Sequence, residues 1–273
     1  MIKVMCNGQL DDNSQLLDRG LHYGDGLFET MAVRNGAIPL WHKHWQRFEK
    51  GCHRLKIALP DMTVLEKEIA MLAQDQEQAV IKLLFTRGQG ERGYRLPEQS
   101  LPNRYLFLSS WPEYPIHYVD TGVRLRVCET PLGINPTLAG IKHLNRLEQV
   151  MARSEWQDPQ IQEGIMLDQH GRVIEGTMSN IFWIRQGQIY TPDVSQCGVA
   201  GIMREMVLES AQTLNIPLHT GLWPLSAITQ ADEVFITNSL ICLWPVRYIN
   251  NEEYQIGSIT KKLQQHLQSN YEN

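Results

Sequence analysis

The sequence predicts a mixed α+β chain of two domains, and three observations support this prediction. Short runs rich in β-branched and aromatic residues alternate with runs whose apolar residues recur at helical spacing. The 273 residues contain no internal repeat or low-complexity stretch and are enough for two modest cores. The stretch "WPEYPIHYVDTG" has two prolines and no clear period. We therefore place a connection at 113–122, between a smaller N-terminal domain at 1–112 and a larger C-terminal domain at 123–273.

The N-terminal region is predicted to combine β-type runs with two helices. "LFETMAVRNGAIPL" contains a hairpin signal at Asn35-Gly36. "WHKHWQRFEKGCHRLKI" places Trp41, Trp45 and Phe48 along one helical face, and "TVLEKEIAMLAQDQ" predicts a second helix. Two strands, "AVIKLLFTRG" and "RYLFLSS", are expected to follow.

The C-terminal region continues this alternation. A strand "VRLRVCET" precedes the segment "AGIKHLNRLEQV", and "EGIMLDQHGRVIEGTMSNIFWIRQGQIYTP" has the pattern of hairpin strands. The helix "GIMREMVLESAQTL", the strand "ADEVFITNSL" and a final helix near "ITKKLQQHLQSNY" complete the chain.

Lys142 stands at an unusual place in this pattern. Leu144 and Leu147 recur at helical spacing, and Asn145 followed by Glu148 is an N-terminal capping pattern, so a helix is predicted to begin close to Lys142. The positive end of the helix dipole disfavours an ammonium in the first turn. We therefore expect Lys142 either to face an anion or to act as a nucleophile with a depressed pKa.

Composition excludes several classes of protein. A net charge of -5 offers no general footprint for nucleic acid. The five cysteines are scattered, odd in number and without a C-x-x-C pair, which predicts a reduced, cytoplasmic protein. Neither a signal-type apolar segment nor a membrane span is expected from the sequence.

Two motifs suggest other functions, and their contexts argue against both. "GQGERG" follows a strand and matches the dinucleotide-binding pattern, but "YRLPEQSLPN" after it has no helical period. His42 and His44 in "WHKHW" diverge on a helix, and no paired Cys/His cluster exists elsewhere, so no metal site is predicted. The absence of a G-x-S-x-G elbow makes a serine hydrolase of that type improbable.

Four segments that are far apart in the sequence fit one functional site if Lys142 is a Schiff-base lysine. Such a site needs an amine, an acidic partner for a pyridine nitrogen and donors for a phosphate. Glu175 ends an alternating strand, where its carboxylate could face inward. Gly198 and Gly201 precede a helix that begins near Ile202, whose free N–H groups suit an anion. Thr237 and Asn238 end a further strand in "FITN" and could complete an anion cradle.

The motifs that contain these residues resemble a known family. "LDRGLHYGDGLFET", "HWQRF", "GIKHLNRLEQV", "EGTMSNIFW", "GVAGIMRE" and "ITNSL" are similar to the fold-type IV pyridoxal-phosphate enzymes, which include branched-chain and D-amino acid aminotransferases and aminodeoxychorismate lyases. The resemblance covers nearly the whole chain. "TRGQGERGY" and "LAGIKHLNRLEQV" most resemble the lyases, which make 4-aminobenzoate for folate synthesis. The resemblance implies a cofactor cleft between two domains and a homodimer that completes the site.

The resemblance also implies roles for individual residues. Lys142 is expected to hold the cofactor aldehyde and to carry the proton, and Glu175 to pair with the pyridine nitrogen. Many members of the family have Thr where this chain has Met203, so only backbone donors are expected there. The residues implied to bind pyridoxal 5'-phosphate are Arg47, Lys142, Glu175, Asn180, Gly201, Ile202, Met203 and Thr237.

A lyase substrate with two carboxylates would need cationic and polar partners. Arg95 lies in the same loop as several candidates and is a further one. The substrate-binding candidates are Thr30, Arg87, Arg92, Tyr94, Arg146 and Asn238.

Alternatives to the lyase remain. The main one is an aminotransferase for branched-chain or D-amino acids, in which Lys142 and Glu175 would serve equally. A non-catalytic binding protein and a nicotinamide-dependent oxidoreductase are less favoured.

Overall fold

The computed structural model describes residues 4–6, 9–11 and 14–271. The strands are β1 Val4–Cys6, β2 Gln9–Asp11, β3 Gly26–Arg34, β4 Gln78–Thr86, β5 Asn103–Ser110, β6 Val123–Val127, β7 Glu163–Leu167, β8 Val173–Gly176, β9 Asn180–Arg185, β10 Gln188–Pro192, β11 Leu218–Gly221, β12 Glu233–Asn238, β13 Cys242–Ile249 and β14 Glu252–Glu253. The helices are α1 Arg19–Tyr23, α2 Trp41–Leu55, α3 Met62–Ala73, α4 Tyr118–Thr121, α5 Leu147–Arg153, α6 Ile202–Thr213, α7 Ser226–Thr229 and α8 Ser258–Tyr271, with a 3-10 turn at Ser14–Leu17. The predicted α+β class is confirmed.

The first main sheet is antiparallel, in the order β3-β4-β5. Helices α2 and α3 cover one of its faces. Met31, Phe48, Leu65 and Ile81 are buried together between the sheet and these helices. The N-terminal core is therefore a sheet packed against two amphipathic helices.

The second main sheet has nine strands among the described residues, in the order β11-β10-β9-β12-β13-β6-β7-β8, with β14 beside β13. Its central strands are apolar on both faces. Phe182 and Phe235 pack toward α6 and α8, whereas Trp183 and Ile236 belong to the core on the other side. Because both faces are covered, these strands are continuous apolar runs rather than alternating ones.

The two sheets use separate stretches of the chain. The three-stranded sheet ends at Ser110, and the larger sheet begins at Val123, with α4 in between. The division at 113–122 fits this arrangement and stays a proposal.

The turn at Asn35-Gly36 differs from the predicted hairpin. Both residues have positive φ, and Arg34 and Ala37 form an isolated bridge. The chain then enters α2 instead of a second strand, and β3 pairs with β4 along its whole length. The signal therefore specifies a tight turn and not the partner strand.

Four cysteine side chains lie within the described cores or at their edges. Cys52, Cys128 and Cys197 are buried and Cys242 is half-buried, and all four are free thiols. Burial raises the pKa of each of these thiols to about 12. Among the described residues, no helix is long and apolar enough to cross a membrane.

Candidate active site

A cavity of about 540 Å³ opens between the two main sheets. Its lining comes from β3 and α2 on one side and from β8, α6 and the end of β12 on the other. Ten of the residues predicted from the sequence lie in its wall: Thr30, Arg47, Lys142, Arg146, Glu175, Asn180, Gly201, Ile202, Thr237 and Asn238.

Lys142 lies on an extended segment that runs between the two sheets. On one side the Phe28 N–H donates to the Lys142 carbonyl at 2.9 Å. On the other side the Gly140 N–H donates to the Gly198 carbonyl, also at 2.9 Å. The segment is therefore fixed by backbone bonds to β3 and to the loop before α6, and Lys142 is positioned by both.

The prediction of a helix beginning near Lys142 is wrong. Helix α5 begins at Leu147, and its N-cap residue, Arg146, makes no side-chain capping bond. The Asn145 amide instead donates to the Gly24 carbonyl at 3.1 Å. Leu147 is 71% exposed, so the apolar spacing does not mark a face buried within this chain. Hydrogen bonds to β3 pair backbone polar groups of this segment that would otherwise be paired within a helix.

The Lys142 ammonium is largely removed from water, and its surroundings replace the lost hydration only in part. Its Nζ lies 4.3 Å from the centre of the Phe28 ring. Burial lowers the pKa of Lys142 to about 8, the nearby charge of Arg47 adds to this, and the carboxylates of Glu29 and Glu175 oppose it. Of the two alternatives expected from the sequence, an anionic partner or a depressed pKa, this environment favours the second, and its main cause is burial rather than a helix dipole.

Glu175 is buried at the end of β8, as the sequence predicted. Its Oε2 accepts the Val199 N–H at 2.8 Å. Gly198 permits this approach, because a Cβ there would lie 2.7 Å from an Ile174 methyl group. Burial raises the pKa of Glu175 to about 7, against the Val199 hydrogen bond and the charges of Arg146 and Lys142. The carboxyl is thus poised to exchange a proton near neutral pH.

The N-terminus of α6 faces the cavity. Gly201 caps the helix without a side-chain bond, and the first N–H groups of α6 have no acceptor a turn earlier. Asn180 holds the preceding loop by donating to the Val199 carbonyl at 2.9 Å. The Thr237 hydroxyl, at the end of β12, is buried without a hydrogen-bond partner. These groups, which we call the anion cradle, are hydrogen-bond donors that could bind an anion together.

Arg47 closes the cradle from the α2 side, and it is held by a buried network. Its guanidinium donates to both oxygens of Glu29, at 2.8 and 2.6 Å, and to the Ala200 carbonyl at 3.3 Å. His44 contacts the same carboxylate through Nδ1 at 2.7 Å. Burial alone would raise the pKa of Glu29, but Arg47 and His44 hold it at about 2. Glu29 is therefore a fixed anion that orients Arg47.

Arg146 is a second half-buried arginine in the cavity wall. Its Nε donates to the His143 carbonyl at 3.0 Å, and its Nη2 contacts the His143 ring at Nε2. Burial and the Arg146 charge lower the pKa of His143 to about 3, so this ring is a neutral acceptor. Among the described residues Arg146 has no carboxylate within ion-pair distance. It can therefore take an anionic ligand.

Other predicted residues are not brought to the cavity. Arg87 is buried elsewhere, in a two-point ion pair with Asp25. Arg92 and Tyr94 lie on the exposed β4–β5 loop and do not line the cavity wall of this chain. The Met203 side chain belongs to the core between α6 and the sheet, so only its backbone belongs to the cradle.

Several lining or supporting residues were missed from the sequence. Glu163 accepts hydrogen bonds from the hydroxyls of Thr177 and Ser179, at 2.5 and 2.8 Å, and thereby fixes the turn after Glu175. Glu29 also went unrecognised. The sequence offered a signal for both, a carboxylate within an apolar strand at Glu29 and at the start of one at Glu163, since such a group must find partners when it is buried. Gln149, Tyr114, Arg153 and Gln162 also line the cavity.

Comparisons with known proteins agree with this geometry. The family model for class IV aminotransferases matches residues 26–249. The chain is 37% identical over 266 residues to an aminodeoxychorismate lyase of Vibrio harveyi, covering 96% of this chain and 98% of that protein. It is 31% identical to a putative branched-chain-amino-acid aminotransferase of Methanocaldococcus jannaschii, covering 97% and 94%.

A solved structure extends the likeness to three dimensions. The 4-amino-4-deoxychorismate lyase from Pseudomonas aeruginosa superposes with a TM-score of 0.90 at 44% identity, covering 96% of this chain and 97% of that one. The chain therefore belongs to the class IV aminotransferase family.

Proposed function

We propose that this chain is a pyridoxal-phosphate-dependent lyase that converts 4-amino-4-deoxychorismate into 4-aminobenzoate and pyruvate, a step of folate synthesis. One observation supports this most: the desolvated amine of Lys142 shares a cavity with the carboxyl of Glu175 and with the anion cradle of α6 and Thr237. The lyase relatives at 37% and 44% identity support the choice of reaction. We further propose that the enzyme acts as a homodimer, as the family resemblance implies.

The residues present fit pyridoxal phosphate. The orphaned Thr237 hydroxyl, the N-terminus of α6 and the Arg47 guanidinium provide the donors that a phosphate requires. Lys142 provides an amine for the aldehyde, and Glu175 provides the acid that a pyridine nitrogen needs. A cavity of about 540 Å³ is of the size expected for a cofactor site.

When bound, the cofactor supplies an electron sink for negative charge at the carbon that bears the substrate amine. Lys142 acts as the base that removes the proton from that carbon, C4 of the substrate ring, because its pKa of about 8 leaves a useful fraction of neutral amine. The electron pair left at C4 makes the ring aromatic as the ether bond between the neighbouring ring carbon and the enolpyruvyl oxygen breaks, and the same amine returns its proton to the methylene carbon of the departing group, which leaves as pyruvate. Glu175 holds a proton at the pyridine nitrogen throughout.

Arg146 binds and orients the substrate. It lines the cavity and is half-buried, and among the described residues no carboxylate lies within ion-pair distance of it. A substrate carboxylate would complete its coordination, and the His143 carbonyl and ring fix the plane of the guanidinium beforehand. Thr30 and Asn238, also in the wall, are further candidate polar contacts.

Product analysis by mass spectrometry tests this function. Purified protein with pyridoxal phosphate is offered aminodeoxychorismate in one reaction, and D- and branched-chain amino acids with 2-oxoglutarate in another. We expect 4-aminobenzoate and pyruvate in the first, and neither product with Lys142→Ala. If only glutamate and new keto acids form in the second, the enzyme is an aminotransferase like the 31% identical relative.

A further inference from the structure

Lys43 joins α2 to α6 across the gap between the two sheets. Its Nζ lies 2.9 Å from Oε1 of Glu205 and 2.7 Å from Oε1 of Glu209. The lysine is 8% exposed, whereas about half of each glutamate side chain is exposed. Burial opposes charging of Lys43, but the two carboxylates raise its pKa above the ordinary value, so the ammonium stays charged.

This ion-pair cluster, Lys43-Glu205-Glu209, stands beside the anion cradle. Lys43 and Arg47 are one helical turn apart on the same face of α2, and Arg47 reaches the Ala200 carbonyl just before α6. Glu205 and Glu209 lie in the first and second turns of α6, about 5 to 10 Å along the axis from its N-terminus. Both negative charges are thus near the site where a phosphate would bind.

Two unpaired carboxylates at this position would weaken anion binding. A carboxylate in the first turn, such as Glu205, competes with a bound phosphate for the positive end of the helix dipole. At separations of this order, repulsion between a carboxylate and a phosphate through a protein boundary amounts to about tenfold in a dissociation constant.

We propose that Lys43 is a positioning residue that neutralises Glu205 and Glu209 and so preserves the affinity of the α6 N-terminus for the cofactor phosphate. This inference rests on the proposed cofactor but not on the substrate or the reaction. It assigns Lys43 an electrostatic role, distinct from that of a mechanical link between α2 and α6.

Equilibrium titrations with two probes test the proposal. Pyridoxal phosphate and phosphate-free pyridoxal are titrated into the apoprotein, and their dissociation constants are compared. For Lys43→Met, binding of pyridoxal phosphate should weaken about tenfold while binding of pyridoxal changes less than twofold. Lys43→Arg, which keeps the positive charge, should bind pyridoxal phosphate as the wild type does. Lys50→Met, on the exposed side of the same helix, is the matched control and should change neither constant.

Removal of the carboxylates separates charge from mechanical linkage. The triple variant Lys43→Met, Glu205→Gln, Glu209→Gln should bind pyridoxal phosphate within about threefold of the wild type. Equal weakening of both probes by Lys43→Met, or a triple variant as weak as Lys43→Met, would overturn the proposal.

The carboxylate variants and the wild type also test the proposal by themselves. If Lys43→Met does not fold, the double variant Glu205→Gln, Glu209→Gln should bind pyridoxal phosphate at least as tightly as the wild type, and weaker binding would refute the electrostatic role. A wild type that does not prefer pyridoxal phosphate over pyridoxal would overturn the phosphate cradle itself, and this inference with it.

Discussion

Arg47 and Glu29 form a two-point ion pair in which Nε lies 2.8 Å from Oε1 and Nη2 lies 2.6 Å from Oε2. Because Arg47 and His44 keep the pKa of Glu29 at about 2, below its ordinary value of 4.5, the folded state binds its proton more weakly than the unfolded state does. The pair therefore stabilises the fold fully above pH 4.5, and the contribution is lost as the pH falls toward 2.

Glu29→Gln should remove this dependence. Between pH 4.5 and 2 the wild type should lose on the order of 3 kcal/mol that the variant does not lose. Urea denaturation across this range measures it. Glu68→Gln, which breaks the exposed pair with Arg104, is the control and should alter the slope little. Parallel curves for wild type and Glu29→Gln would contradict the assignment.

Lys142 should react with the cofactor as an amine of low pKa. Covalent attachment, trapped by borohydride, should become faster up to a pH of about 8 and then level off, because the neutral amine is the reactive form. An exposed lysine would continue to gain reactivity to a higher pH. Lys142→Ala should lose the adduct on peptide mapping, and an unchanged adduct would assign the attachment to another residue.

Glu175→Gln should separate binding from turnover. The amide can still accept the Val199 N–H, so the loop before α6 should keep its position and the cofactor its affinity, within about threefold. Without an acid at the pyridine nitrogen, kcat should fall at least about 100-fold. Titration and steady-state kinetics on the same preparation provide the test. Near-normal turnover would exclude this role for Glu175.

Arg146→Met should change substrate binding, whereas Arg87→Met should change the stability of the fold. Loss of the cavity guanidinium at 146 should raise KM about tenfold or more with little change in stability. Loss of the buried Arg87 should cost about 2 kcal/mol of stability, because it leaves the half-buried Asp25 without one of its two arginine partners. Melting temperatures and KM for both variants test this, and the reverse pattern would assign the substrate to Arg87.

The strongest sequence predictions rested on local signals. Glu175 ends a strand and α6 begins at Ile202, as predicted, because chain direction at a strand end and glycines before a helix act over a few residues. The sequence singled out Lys142 as a candidate residue but predicted the wrong local structure for its segment. Its segment pairs with β3, more than a hundred residues earlier, and nothing within the segment specifies that partner.

Other features depend on distant partners and could not be predicted. Nothing near Arg87 in the sequence distinguishes it from Arg146, since the difference is the presence of Asp25. Strand β13 contains Pro245, which argues against a central strand. Pro245 lies opposite Phe235 of β12, and on its other side the ladder with β6 begins only at Val246, one residue later.

The three buried thiols and the half-buried thiol of Cys242 lie in different parts of the fold. Cys52 belongs to the core of the first sheet, Cys128 and Cys197 share a small cluster, and Cys242 packs at the edge of the core beneath α6. With pKa values near 12 they carry almost no thiolate in the folded chain, so each can be alkylated only when its own region opens. In a chain with Cys6 replaced by serine, mass spectrometry of the alkylated peptides would time the opening of each core separately.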